Sequence, residues 1–258
     1  MKNYFLISIS LLLVCICVSC NHSATKFNGK KILFIASNAH YYGNSNISAS
    51  NHFAEIVHAY DVLIQAGHLV DFVSPEGGAI PIGYIDTADT IMKQYLYDSD
   101  FMQLLKFTKK PSDVKAEDYS AVYYSGGGSA MFGVSDSEPI QKIVMEVYEE
   151  QNGIISALCH GTAGIVNLKT KDQKYLVDGK KVNGFPDLFE NQDAEYYKQF
   201  PFSIQNVIEE RGGSFKFSSE GWDGYVEADG RLITGQDPSA AAPLARHLIS
   251  LIENIESQ

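Results

Sequence analysis

Residues 153–164 read GIISALCHGTAG: an apolar run ends abruptly at Cys159, His160 and Gly161, and small residues able to open a helix follow. Strand, sharp turn and helix in that order would lift the Cys159 side chain above the end of a sheet, beside N–H groups that favour a thiolate. Such a nucleophile needs a group to take its proton and an acid to orient that group. His160, next in sequence, is the first candidate for the base. Asp187 and Glu190, both in GFPDLFE at 184–190, compete for the orienting place. A carboxylate at the start of a helix can equally be a simple cap. Without such partners, a lone cysteine at a strand end is a buried, inert thiol.

A third acid, Glu55, sits early in a helix among Phe53, Ile56 and Val57. Burial there would raise its carboxyl pKa and suit it to shuttle a proton. The Gly-Gly-Gly-Ser of 126–129 lacks the lysine of a phosphate loop and the spacing of a dinucleotide fingerprint. Its better use is an oxyanion hole, in which N–H groups of Gly127, Gly128 and His160 face the oxygen of a thiol adduct. His52, Glu55 and His58 share one side of that early helix at i, i+3 and i+6. Zinc helices space their histidines i, i+4, so no metal is assigned here. His40, Tyr41 and Tyr42 are read as rim residues at a pocket mouth.

To bring these groups together the chain must place several strand ends on one edge. Short apolar runs at 31–37, 68–75, 119–125 and 153–158 read as strands, with helices at 54–67, 90–106 and 137–150 between them. A hairpin is expected from 175–177 and 181–183 turning at Asp178-Gly179, then a helix at 203–210. Short strands at 214–218, 225–228 and 231–234 precede a last helix at 240–255. Apolar strands alternating with helices predict an α/β fold: a mainly parallel, doubly wound sheet covered on both faces. Ligands bind such sheets at the carboxyl ends of the strands. Ser37, Pro75, residues 126–128 and Cys159 should therefore converge on one crevice.

The chain has 258 residues, 45% hydrophobic and 20% charged, enough for one substantial domain. Residues 1–19 differ: Lys2 precedes an apolar stretch from Phe5 to Val18, which reads as a secretory signal. Val18-Ser19-Cys20 resembles a bacterial lipobox with Cys17 in place of the usual leucine, making Cys20 the lipidated residue and 20–30 a tether. The expected location is the cell envelope, as a lipid-anchored bacterial lipoprotein, with a secreted or periplasmic protein as the alternative. Of the four cysteines, Cys15 and Cys17 leave with the signal and Cys20 carries lipid, so Cys159 has no partner for a disulfide within residues 31–258. Loss of Lys2 takes the formal charge from −11 to −12. So acidic a body argues against nucleic acid and against holding anionic lipid by charge, leaving the N-terminal lipid as the membrane contact.

Taken together, these residues resemble the ThiJ/PfpI superfamily, with its class I glutamine amidotransferase-like domain, and within it the glyoxalase III and heat-shock chaperone branch. The likeness runs from about Lys31 to Ile255. It rests on FAEIVHAYDVLIQAGHLVDFVSPEGG at 53–78, ALCHG at 157–161, GFPDLFE at 184–190, PFSIQNVIEERGG at 201–213 and DGRLITGQDPSAAA at 229–241. The resemblance implies a flavodoxin-like three-layer sandwich over 31–258, with a nucleophile elbow at a strand's carboxyl end. It also implies a cofactor-independent Cys159–His160–Glu190 site with Glu55 as the buried acid. The implied substrate is a small carbonyl, methylglyoxal or glyoxal, converted to the hydroxy acid. An amidase or peptidase, or a non-catalytic envelope chaperone or redox-responsive protein, is the alternative. Members of the superfamily often form homodimers, so a homodimer is one implied assembly. One departure stands out: the branch usually has Gly-Gly-His-Gly after its third strand, whereas this chain has Gly128 at the histidine position. That change is expected to remove a polar wall and enlarge the site.

Overall fold

Five runs of the chain pair side by side in parallel; four are buried at nearly every residue, and the edge run at 69–73 leaves Leu69 exposed and Asp71 half-buried. The computed structural model describes residues 29–257. In chain order its strands are β1 (Lys31–Ile35), β2 (Asn51–His52), β3 (Leu69–Val73), β4 (Ile82–Gly83), β5 (Ala121–Tyr124), β6 (Ile154–Leu158), β7 (Lys181–Val182), β8 (Ser214–Phe215), β9 (Val226–Asp229) and β10 (Leu232–Gly235). The helices are α1 (Phe53–Gln65), α2 (Thr90–Leu96), α3 (Ser99–Lys106), α4 (Glu138–Glu149), α5 (Ile204–Glu210) and α6 (Ala241–Glu256). The main sheet runs β3-β1-β5-β6-β10-β9, parallel except for β9, which turns back antiparallel on β10. Counting its parallel strands in chain order, this is the flavodoxin-like order, with its switch point between β1 and β5.

Alternate residues of β1 enter different cores. Ile32 and Phe34 join α1, α2, α3 and α6 on one face, through Phe53, Ile56, Phe101 and Leu244. Leu33 and Ile35 join α4 and α5 on the other, through Ile140, Val144 and Ile208. Three layers follow from this two-sided burial. The sequence reading of a doubly wound sheet holds.

Two local expectations do not. Residues 90–106 form two helices rather than one, because the Asp98 side chain accepts the N–H groups of Asp100 (2.9 Å) and Phe101 (3.0 Å) and so starts a second helix. The expected hairpin around Asp178-Gly179 is absent as well. The chain does turn there, but β7 pairs in parallel with β8, while Tyr175 bridges back to Lys169. Val182 is fully buried in the second core, and that demand sets its strand partner more strongly than the local turn does. The β9–β10 hairpin at Asp229-Gly230 forms as expected. The signal, Cys15, Cys17, Cys20 and most of the tether lie outside the described residues.

Candidate active site

Cys159 follows β6 immediately and takes a φ of 57°, a left-handed conformation that a non-glycine residue rarely adopts. Such a backbone costs about 1–3 kcal/mol and persists only where its surroundings enforce it. Here a 3-10 turn over Cys159–Ile165 begins directly at the nucleophile and packs against the β5 strand and its following loop. At Gly161 a Cβ would press on the Tyr124 and Ser125 backbone, so the tight turn depends on glycine.

Cys159 Sγ lies 3.4 Å from His160 Nδ1, and His160 Nε2 lies 2.7 Å from Glu190 Oε1. A carboxylate only accepts, so the Nε2–H tautomer leaves Nδ1 bare toward the thiol. Phe185 stacks on the imidazole at 4.8 Å and Phe200 meets it edge-on at 5.4 Å, fixing the ring between them. Tyr196 adds a long contact of 3.5 Å to Glu190 Oε2. Of the two acids left open by the sequence, Glu190 meets His160. Asp187 instead accepts from Ser203 Oγ at 2.8 and 2.9 Å, in the turn that leads into α5.

Glu55 is wholly buried beneath the thiol. Its Oε2 accepts the Gly126 N–H at 2.8 Å, and its Oε1 has no partner of ordinary hydrogen-bond geometry. The amide of His52 in turn donates to Gly126 O at 2.9 Å, so the start of α1 and the loop after β5 clasp each other. Burial, with buried Asp237 adding to it, pushes the Glu55 carboxyl up to about 8. Burial and the neighbouring Glu55 charge push the Cys159 thiol well above its ordinary range, although the His160 amide opposes them. Removal from water thus outweighs the N–H groups of the turn, which favour a thiolate.

The loop glycines stand behind the wall of the cleft rather than in it. Gly126 has given its N–H to Glu55. Gly127, at φ 97°, lies under the backbone of Ser50–His52, and a Cβ on Gly128 would collide with the Tyr42 hydroxyl. The space released by the missing histidine is thus filled by Tyr42, whose hydroxyl sits 3.3 Å from that of Tyr84. The polar wall is supplied from another part of the chain, and the expected enlargement at Gly128 does not occur.

Not every strand end converges. Ser37 is buried and structural: its Oγ donates to Phe132 O (2.8 Å) and its N–H to Asn51 Oδ1 (2.9 Å). Pro75 faces a separate depression with Lys110 and Pro139. His40 and Tyr41 line another with Pro81, so of the three rim residues only Tyr42 reaches the cleft. His52, Glu55 and His58 diverge: His52 stacks on Tyr84 (4.5 Å), Glu55 turns to Gly126, and His58 Nε2 lies 2.9 Å from Asp89.

Several residues in or behind the cleft are not assigned to it by the sequence, where His52 is weighed only for a metal. His52 faces Cys159 across a cavity of 360 Å³, its imidazole held neutral by burial, which lowers its pKa to about 4. Phe185, Phe189, Phe200 and Trp222 supply apolar faces. Asn51 is fully buried and ties Ser37 O (2.9 Å) and Pro81 O (2.8 Å) together, setting the entry to α1. Only long-range packing joins them to Cys159, and no spacing in the sequence could have marked them.

Comparison with known proteins agrees with this fold. A model of the DJ-1/PfpI family matches residues 50–251. The chain is 29% identical over 213 residues to glyoxalase 3 of Candida albicans, covering 77% of this chain and 88% of that protein. It is also 29% identical over 216 residues to a glutathione-independent glyoxalase of Saccharomyces cerevisiae, covering 78% and 88%. Among solved structures, the rapid encystment protein of Francisella tularensis superposes with a TM-score of 0.80 at 28% identity, covering 86% of this chain and 99% of the other. Crystalline glyoxalase III from Candida albicans gives 0.78 at 26% identity, covering 86% and 97%.

Proposed function

Since the chain belongs to the DJ-1/PfpI family, we propose that it is a glyoxalase III-like enzyme that converts a 2-oxoaldehyde such as methylglyoxal or glyoxal to the hydroxy acid. The observation that carries this reading is the relay Cys159 Sγ–His160 Nδ1–Glu190 Oε1, closed beneath by a buried acid at Glu55. The glyoxalase names of the relatives support the substrate class.

The chemistry uses this chain's own groups and water. His160 Nδ1 takes the thiol proton as Sγ adds to the aldehyde carbon and passes it to the new oxyanion, which gives a hemithioacetal and leaves Nδ1 free again. With its proton in place, Glu55 adds no negative charge beside the sulfur, and Oε1–H can donate to the developing thiolate. The C1 proton then leaves to His160 and returns at C2 through an enediol, so C1 is oxidised as C2 is reduced. The product is a thioester of the 2-hydroxy acid. Water attacks it, releasing the acid and restoring the thiol. The His160 amide beside Sγ stabilises the adduct oxygen, with Gly127 and Gly128 supporting the wall that aims it.

The test is lactate formation from methylglyoxal by the full chain, compared with Cys159→Ser and His160→Ala. Turnover should fall by about 10³-fold or more in the first and about 10²-fold or more in the second. Lactate that does not depend on Cys159 would exclude the reading. Suppression of client aggregation by Cys159→Ser, with no lactate from wild type, would favour a holdase.

A further inference from the structure

The cleft above Cys159 is larger and more aromatic than a methylglyoxal site requires. Its 360 Å³ falls in the range of pockets that take drug-sized ligands, whereas methylglyoxal has only about five non-hydrogen atoms. No Lys or Arg lines it among the described residues, and Glu190 contributes a carboxylate. A phosphorylated or carboxylated aldehyde would find no counter-charge there.

On the side away from Tyr42, three rings make a corner beside the reacting groups. Phe185 covers His160, Trp222 meets Phe185 at 6.2 Å and 85°, and Phe189 meets Trp222 at 5.6 Å and 55°. Trp222 is 60% exposed, so packing the core does not account for it. Its backbone nevertheless holds a left-handed φ of 49°, and its N–H donates to buried Asp237 at 2.8 Å. The same Asp237 accepts from the Ser239 amide (3.0 Å) and is the first residue after Gln236 at the end of β10. The loop after β10 thus holds the strained backbone of an exposed tryptophan at the cleft mouth, an arrangement that points to recognition rather than packing.

We propose that the preferred substrate is an uncharged 2-oxoaldehyde bearing an aryl or comparably large apolar group, an arylglyoxal, whose ring fills the Phe185–Phe189–Trp222 corner while its aldehyde meets Cys159. This rests on the glyoxalase reading above and names its substrate class. The two carbonyl carbons react as already described, so the ring changes binding and not the balance of the reaction. His52 and the Tyr42–Tyr84 hydroxyl pair form the opposite, polar side and face the second carbonyl.

Phenylglyoxal against methylglyoxal tests it, with kcat/KM measured for the full chain, for Trp222→Ala and for Phe189→Ala. The expected ratio in favour of phenylglyoxal is on the order of tenfold or more, since even one methylene in an apolar pocket is worth about tenfold. Trp222→Ala should cut that ratio by about three- to tenfold, mainly through KM, the range that aromatic contacts supply. A carboxylate added to the ring should lower it again. A ratio near one, or one unmoved by both variants, overturns the substrate class while leaving the glyoxalase reading standing. If neither aldehyde is turned over, the glyoxalase reading fails and binding decides the rest. Trp222 is the chain's single tryptophan, so its fluorescence in Cys159→Ser reports on this corner alone. Saturation by phenylglyoxal well below the concentration needed for methylglyoxal would uphold aryl selection, and equal saturation would overturn it.

Discussion

Glu55 and Cys159 cannot both be charged in one buried contact without a large loss of hydration. The chain resolves this by keeping the proton on Glu55, whose pKa is pushed up to about 8 from an unburied 4.5. A folded pKa above the unfolded one means that the contribution to stability is fully present below about 4.5 and is lost as pH rises toward 8. The loss accumulates at up to ~1.4 kcal/mol per pH unit, a few kcal/mol across the window. Glu55→Gln has no proton to give up, so its stability relative to wild type should rise between about pH 5 and about pH 8. Denaturant unfolding at the two pH values measures this, and a difference that stays constant would show that Glu55 is not buried as an acid. Turnover should share the dependence: wild-type kcat/KM falls as pH passes about 8, and the variant loses that limb of the profile. Cys159 and His160 were legible in the sequence because turn chemistry holds them, whereas Glu190 was set apart from Asp187 only by the family resemblance. The upward shift of the thiol pKa was not legible, because it depends on how much water the folded chain excludes.

At the scale of elements, β10 was read only as a short strand of a hairpin, whereas the other four parallel strands could be read from their apolar runs, since near-complete burial leaves a plain mark on composition. The segment between β7 and α5 could not, having only short 3-10 turns, yet it delivers Phe185, Glu190, Tyr196 and Phe200 to the cleft. It is fastened at two places. The Asn183 amide donates to Thr234 Oγ1 on β10 at 2.8 Å, and Ser203, which caps α5 through the Asn206 N–H, also donates to Asp187. Two acids three residues apart therefore have separate duties, one orienting His160 and one anchoring the segment. Glu190→Gln should lower kcat by about 10²-fold or more with little change in stability. Ser203→Ala should cost about 1 kcal/mol of stability and lower kcat by less than about fivefold. Thermal unfolding and steady-state kinetics on both variants check the division. Equal losses of kcat would mean that the anchor and the relay are not separable.

For the whole molecule, the parallel sheet fixes which way the cleft looks. Lys31 opens β1 at the amino edge, while Cys159 follows β6 at the carboxyl edge, and both strands run parallel to β5 between them. The two edges stand about 17 Å apart along a five-residue strand. We propose that a lipid on Cys20 anchors the chain, and a tether of ten residues from 21 to 30 reaches at most ~35 Å. The described chain then begins at the edge opposite the cleft, and a tether about twice as long as the sheet is deep leaves room for substrate to arrive from water. Among the described residues no helix is long and apolar enough to cross a membrane, and the formal charge of −11 gives anionic lipid nothing to hold. Attachment should accordingly resist high salt and yield to detergent, because acyl chains and not ion pairs carry it. Cys20→Ala should move the chain from the membrane fraction to the soluble one while kcat/KM for the aldehyde stays within about twofold, since β1 begins at the sheet edge opposite the cleft. Fractionation of cells expressing both forms, with turnover measured in each fraction, tests the two halves together. Release by salt alone would replace the lipid with a charged partner, and a loss of turnover on release would place the membrane beside the cleft.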